Sequence, residues 1–207
     1  MDRKFVFVLG ATLAACVVYG NPAVSSITGG SSFGIFYGGS TGDVVGFRFT
    51  ANADFFVTDL GVHIDTDGLQ SSHMVGIWRD SDQALMASAL VDPGTATTLG
   101  DWMYQSISPV QLSSGASYTA GAMYTATDSD SYVSNPTTVV TDPWITLTAS
   151  VYPSAGSLGF VYPSLTNAGA RGRHGPNFIV AAVPEPTTLI ALGLGGMALA
   201  RRRRAKR

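Results

Sequence analysis

From Val45 the chain alternates apolar and polar positions, with Val45, Phe47 and Phe49 set against Gly46, Arg48 and Thr50. The next run sets Phe56, Leu60, Val62 and Ile64 against Asp59, Gly61 and His63. A period of two marks strands with one buried and one wet face. Further runs at 74–79, 84–91, 102–107, 117–124, 144–152, 158–162 and 177–183 are punctuated by Asp-Gly, Pro-Gly, Asn-Pro and Ser-Gly turn signals. Eight or nine short strands with no helical period between them predict an all-β fold, an antiparallel β-sandwich or jelly roll, rather than a parallel α/β sheet. Residues 21–43 are rich in Gly and Ser, with Phe33, Ile35, Phe36 and Tyr37 interspersed. They read as an edge strand or a leader, so the sandwich itself is expected over 44–183.

Two apolar segments fall outside this alternation. Met1-Asp2-Arg3-Lys4 followed by the apolar run 5–18 has the basic start and short hydrophobic region of a secretory signal. The small residues of Val18-Tyr19-Gly20 put a peptidase cut after Gly20, which makes 1–20 a signal peptide and Asn21 the mature N-terminus. Leu13-Ala14-Ala15-Cys16 also looks like a bacterial lipobox whose cysteine would take a lipid, although Val17-Val18-Tyr19 prolongs the apolar run where lipoproteins turn polar. Cys16 is the single cysteine, so under either cut no disulfide braces the mature chain.

At the other end Pro184-Glu185-Pro186 precedes the apolar stretch 187–200, and Arg201, Arg202, Arg203 and Arg204 open a basic tail. This tripartite order resembles the PEP-CTERM sorting signal of Gram-negative-type bacteria. The resemblance implies that Pro184, Glu185 and Pro186 form the sorting and processing motif, that a membrane-embedded exosortase reads it, and that 187–200 is a single transmembrane helix held transiently in the inner membrane. It implies that the mature protein is then released or transferred to the surface. The four arginines form a basic stop that remains cytoplasmic and leaves the body outside. A helix of fourteen residues spans about 21 Å against a hydrocarbon core of about 30 Å, which suits a passing anchor better than a permanent one. The other reading of 184–207, a buried core helix with a solvated basic end, leaves the Pro-Glu-Pro unexplained.

The body carries a fainter resemblance. Gly46-Phe47-Arg48-Phe49, Val57-Thr58-Asp59-Leu60-Gly61-Val62, Asp67-Gly68-Leu69, Ser72-His73-Met74-Val75-Gly76-Ile77-Trp78, Pro109-Val110-Gln111-Leu112 and Gly175-Pro176-Asn177-Phe178 look like uncharacterised β-sandwich modules of PEP-CTERM and bacterial surface proteins. That likeness implies fold and location, and brings no catalytic residues with it.

Charge narrows the partners. The formal net charge is −2, but residues 21–183 hold twelve Asp against four Arg, with no Lys and no Glu. So acidic a body repels phosphates, which excludes nucleic acid. The missing Lys and Glu also remove the usual material of exposed helices. No His-Glu-x-x-His, Gly-x-Ser-x-Gly or phosphate-cradling glycine loop occurs. An enzyme is therefore not expected, although a secreted hydrolase with paired carboxylates stays open as an alternative.

Two polar features invite a ligand. Asp65-Thr66-Asp67-Gly68, Asp80-Ser81-Asp82 and Asp128-Ser129-Asp130 place alternate carboxylates on turns, the hard oxygens that a structural Ca²⁺ takes. The same residues are also ordinary hairpin material. Trp78, Trp102 and Trp144 would make a carbohydrate-binding module if they lay exposed and coplanar for stacking on extracellular polysaccharide. The expectation is thus an exported structural or interaction protein of the cell surface or extracellular matrix, with a carbohydrate-binding module or a hydrolase as alternatives.

Overall fold

A computed structural model describes residues 20–33, 39–154, 157–168 and 172–183. The expected signal peptide (1–19 of it), Pro184, Glu185, Pro186, the C-terminal helix and Arg201 to Arg204 lie outside the described residues. The strands are β1 (Asn21–Pro22), β2 (Val24–Thr28), β3 (Ser31–Phe33), β4 (Asp43–Ala51), β5 (Phe55–His63), β6 (His73–Arg79), β7 (Ala84–Val91), β8 (Thr97–Leu99), β9 (Trp102–Leu112) and β10 (Ser117–Tyr124). They continue with β11 (Tyr132–Ser134), β12 (Thr138–Thr141), β13 (Ile145–Tyr152), β14 (Leu165–Ala168), β15 (Arg173–His174) and β16 (Pro176–Ala182).

Two antiparallel sheets dominate, in the orders β14-β13-β4-β10-β6-β7 and β1-β16-β5-β9-β8. Small sheets β15-β11-β3 and β12-β2 flank them. Along the chain β4 lies in the first sheet, β5 in the second, the β6–β7 hairpin in the first, β8 and β9 in the second, β10 in the first and β16 in the second. This crossing between two antiparallel sheets is the mark of a β-sandwich. Among the described residues no helix is long and apolar enough to cross a membrane.

The inner faces follow the alternation. Val45, Phe47, Phe49 and Ala51 of β4 and Tyr118, Ala120, Ala122 and Tyr124 of β10 are buried in one core with Phe178 and Val180 of the facing sheet. The Phe178 ring lies 5.0 Å from that of Phe49 and 6.4 Å from that of Phe47, so it joins the two sheets. Each such ring contributes roughly 1.5–3 kcal/mol by leaving water.

Three expectations are corrected. In β5 the register shifts between Val57 and Asp59, so Phe55 and Val57 face inward ahead of the bulge and Leu60 and Val62 after it. Phe56, expected in the core, is only half-buried, because one extra residue inverts the phase of everything before it. β9 runs on past 107 to Leu112, and Pro109 is accommodated because it lies in the irregular stretch between the partners of Asp59 and Val57. Residues 158–162 are not a strand. Gly159, at φ 86°, donates to the Gly42 carbonyl, and the segment serves as an aromatic cover instead.

That cover explains Trp78. Gly46, Gly121 and Gly76 stand in register across β4, β10 and β6. A Cβ at Gly76 would sit 2.9 Å from the Trp78 ring, and one at Gly121 3.2 Å from it. Bare backbone thus lets the indole lie close on the outer face of the sheet, and Phe160 closes over it with ring centroids 5.1 Å apart. Glycine, ordinarily poor in a central strand, is required here by the close approach.

Among the described residues, strand pairing starts at Asn21, ahead of residue 44. β1 pairs with β16 through Asn21 with Val180 and Pro22 with Ile179, β2 pairs with β12, and β3 with β11. Of the expected alternatives for 21–43, the described part follows the edge strand. The buried Asn177 amide fastens this start: it accepts from the Val24 N–H at 3.0 Å and donates to the Val24 carbonyl and the Tyr104 hydroxyl, both at 2.8 Å.

The sandwich has two distinct ends. At one, where β16 finishes, the turns 52–54, 113–116 and 142–144 are laced together: the Asn52 amide donates to the Pro143 carbonyl at 2.9 Å and Ser114 N–H to the Asp54 carboxylate at 2.7 Å. At the other, the loops 64–72 and 125–131 meet where β6 begins and β10 ends.

Candidate functional site

The densest polar assembly sits at this second end. His73, the first residue of β6, points inward in phase with Val75 and Ile77 and is 1% exposed. Its Nδ1 is 2.9 Å from the Met123 carbonyl and its Nε2 is 3.1 Å from the Asp130 carboxylate. Both ring nitrogens thus have an oxygen within hydrogen-bonding distance. The Asp128 carboxylate lies 3.8 Å from Nδ1.

Asp130, 5% exposed, also accepts from the backbone N–H groups of Gln70 and Ser71, each at 2.7 Å. Asp128 closes its own turn by accepting from the Thr125 N–H at 2.6 Å and hydroxyl at 2.7 Å. Ser131 donates to Asp65 at 2.7 Å, while the Gly68 N–H returns to the Asp65 carbonyl at 2.9 Å. The loops 64–72 and 125–131, some sixty residues apart in sequence, are therefore clasped around one buried His–Asp pair. Beneath it the Tyr124 ring lies 4.6 Å from His73 and 5.8 Å from Tyr132. Burial, followed by Asp130 and further neighbouring groups, pushes the Tyr124 hydroxyl well above the ordinary tyrosine range, so it stays protonated.

Two of the three Asp-x-Asp turns, those of Asp65 and Asp67 and of Asp128 and Asp130, are brought together here. The third is not. Asp80 lies on the outer face of the first sheet, 2.9 Å from Arg48 Nε, accepting from Ser117 at 2.6 Å, Thr119 at 2.7 Å and Tyr162 at 3.1 Å. Asp82 is gripped by Arg79 through two bonds of 3.0 and 2.6 Å, which hold its carboxyl down at about 2. Asp67 is exposed. Among the described residues no three His, Cys, Asp or Glu side chains gather as they would around a metal ion. Both carboxylate oxygens of Asp80, Asp82, Asp128 and Asp130 accept hydrogen bonds, and one oxygen of Asp65 does. Thermal melts of the body with Ca²⁺ and with chelator test the cation at these turns: a Ca²⁺ bound there is expected to raise the melting temperature, and superimposable melts would remove it.

The tryptophans do not form the expected sugar platform. Trp78 is 3% and Trp102 2% exposed, the first under Phe160 and the second within the core. Trp144 is half-buried, stacked 6.3 Å from Phe55. A shallow groove of about 420 Å³ does run beside it, lined by Thr137, Thr138, Val139, Thr141, Ile145, Thr146 and Leu147, but it presents hydroxyls and aliphatic groups rather than flat rings.

His63, at the end of β5, meets Trp102 edge to face at 5.8 Å. Burial lowers its pKa below 6.5, and the Asp65 and Asp101 charges only partly offset this. The unfolded chain therefore binds a proton at this site more readily than the folded one. The stability associated with neutral His63 is present above pH about 6.5 and is lost as pH falls below it. The His63→Gln variant is expected to lose less stability than wild type between pH 7 and pH 5.5 in urea titrations, and parallel losses would contradict this.

Sequence reading missed the clasp because its members, Gln70, Ser71, His73, Tyr124 and Ser131, are scattered. The one local signal was a histidine immediately ahead of the apolar run 74–79.

Residues 182–204 match the PEP-CTERM protein-sorting motif. No curated protein matches the chain.

Proposed function

We propose, from the premise that a PEP-CTERM motif marks an exported chain sorted at the membrane by an exosortase, that this protein is a non-catalytic structural or interaction component of the cell surface or extracellular matrix. The observation that carries the reading is the position of the motif: its match begins at Ala182, the last residue of β16, so the whole described sandwich is the cargo of the sorting signal.

Two features support a presenting rather than a catalytic role. The buried His73–Asp130 pair is spent on loop anchoring, with both imidazole nitrogens and both carboxylate oxygens engaged. The clasp also holds two loops in fixed conformation at the end of the sandwich remote from the sorting motif, where rigid loops on a sheet scaffold suit recognition. The test is protease accessibility of a tagged body in a host that carries the sorting enzyme. Body found on the outer surface or in the medium is the expected result. Body confined to the cytoplasm, or exported but indifferent to loss of that enzyme, would overturn it.

A further inference from the structure

β1 and β16 are antiparallel neighbours, with Asn21 opposite Val180. The chain therefore enters the sandwich at the end from which it leaves. Antiparallel pairing fixes this whatever the flanking segments do, and at both places few residues separate the described strands from the apolar runs. Between the apolar run that ends at Val18 and the first paired residue, Asn21, lie only Tyr19 and Gly20. Between Ala182, still paired with Phe55, and the apolar stretch that starts at Thr187 lie only residues 183–186, a reach of about 14 Å when fully extended. That is little more than the roughly 10 Å between two packed sheets.

The directions agree as well. A secretory signal leaves its C-terminal side outside the membrane, and the basic tail keeps the N-terminal side of 187–200 outside. We infer that the sandwich stands end-on to the membrane, with the turns 52–54, 113–116 and 142–144 facing the lipid headgroups, and that the four-residue stem between β16 and the apolar segment sets how fast the sorting signal is processed. This rests on the sorting reading given above.

The stem is short because the strand is long. β16 lies between β1 and β5, and its register with β5 runs to Ala182 beyond the bulge at Ile179 and Val180. An enzyme working at the membrane surface on residues 184–186 meets the laced turns within a few residues of its target. Either the body must tilt or the end of β16 must unpair, and both slow the reaction. The occupant of this end is the lipid surface, since the tail that the sorting reading places in the bilayer follows β16 there after four residues. The opposite end, with the His73–Asp130 clasp, is held farthest from it.

The experiment uses the full chain in a host with the sorting enzyme. Gly-Ser insertions of four, eight and twelve residues between Val183 and Pro184 are followed by pulse-chase. The expected result is a severalfold faster loss of the tail with the first insertions and a plateau thereafter, with the melting temperature of the body unchanged. In parallel, Ser114→Cys and Ser129→Cys, each in a Cys16→Ala background, are labelled in the tethered form with a bulky membrane-impermeant maleimide. Both serines are exposed, at opposite ends of the sandwich. Slower labelling at position 114 than at 129, and equal labelling once twelve residues are inserted, is expected. Processing rates independent of insertion length, or equal labelling at the two positions in the uninserted chain, would overturn the inference while leaving sorting intact. Wild-type chain that is never tethered or processed would instead overturn the sorting reading on which it rests.

Discussion

Replacing Asp130 by Ala is expected to destabilise the body, residues 21–183, by about 3–5 kcal/mol, because three hydrogen bonds lose their shared carboxylate at once and their partners are left unsatisfied inside the fold. In a domain of this size that is on the order of 10 °C in melting temperature. The loss has two physical sources. The buried His73 Nε2 loses its hydrogen-bond partner inside the fold, and the backbone N–H groups of Gln70 and Ser71 lose their acceptor at once. Asp130→Asn should recover only part of the stability, because one of the two N–H donors then meets an amide NH₂ instead of an oxygen. Urea unfolding of the body decides it. A change below about 1 kcal/mol would place the pair among weak surface interactions and remove the clasp from the account.

The second large effect is on destination rather than stability. Glu185→Ala is expected to leave export and folding intact while the full-length protein accumulates in the inner membrane. The described pairing of β16 ends at Ala182, three residues before Glu185. It lies inside the matched sorting motif, and it is the single glutamate of the chain. Ala substitutions at Arg201 to Arg204 provide the contrast. They should disturb orientation or retention by removing the charge that resists crossing, without removing the motif. Fractionation followed by immunoblotting reads both. Unchanged processing in the Glu185 variant would contradict the role given to the motif.

What the sequence disclosed and what it hid divide along locality. The cores of β4, β6 and β10 were legible because each keeps one phase throughout, so Phe47, Ile77 and Tyr118 could be assigned inward from their neighbours alone. β5 was misread at Phe56 because a bulge leaves no mark in the alternation; it is decided by how Val57 and Asp59 meet Val110 and Ser106 across the sheet. Trp78 sits opposite Ile77 and so belongs on the outer face, as the alternation says. It is buried there because Phe160, eighty-two residues later, folds over it and Gly76 and Gly121 leave room beneath. The polar short strands β2, β3, β11 and β12 acquire their structure only by pairing with partners about a hundred residues away, which no local propensity encodes. The site follows the same rule. The Asp-x-Asp turns were visible, but their use as acceptors for Gln70, Ser71, Ser131 and Arg79 depends on the topology. By contrast, the sorting motif is a contiguous signal, and it was readable in full.

The central claim is that the described sandwich is exported and then separated from its tail at the membrane. Intact-mass measurement of the protein recovered from the surface and medium fractions of an exosortase-bearing host tests it most directly. The account predicts a mature species whose N-terminus is Asn21 and which lacks residues 187–207. A mature surface species that still carries 187–207 would contradict it.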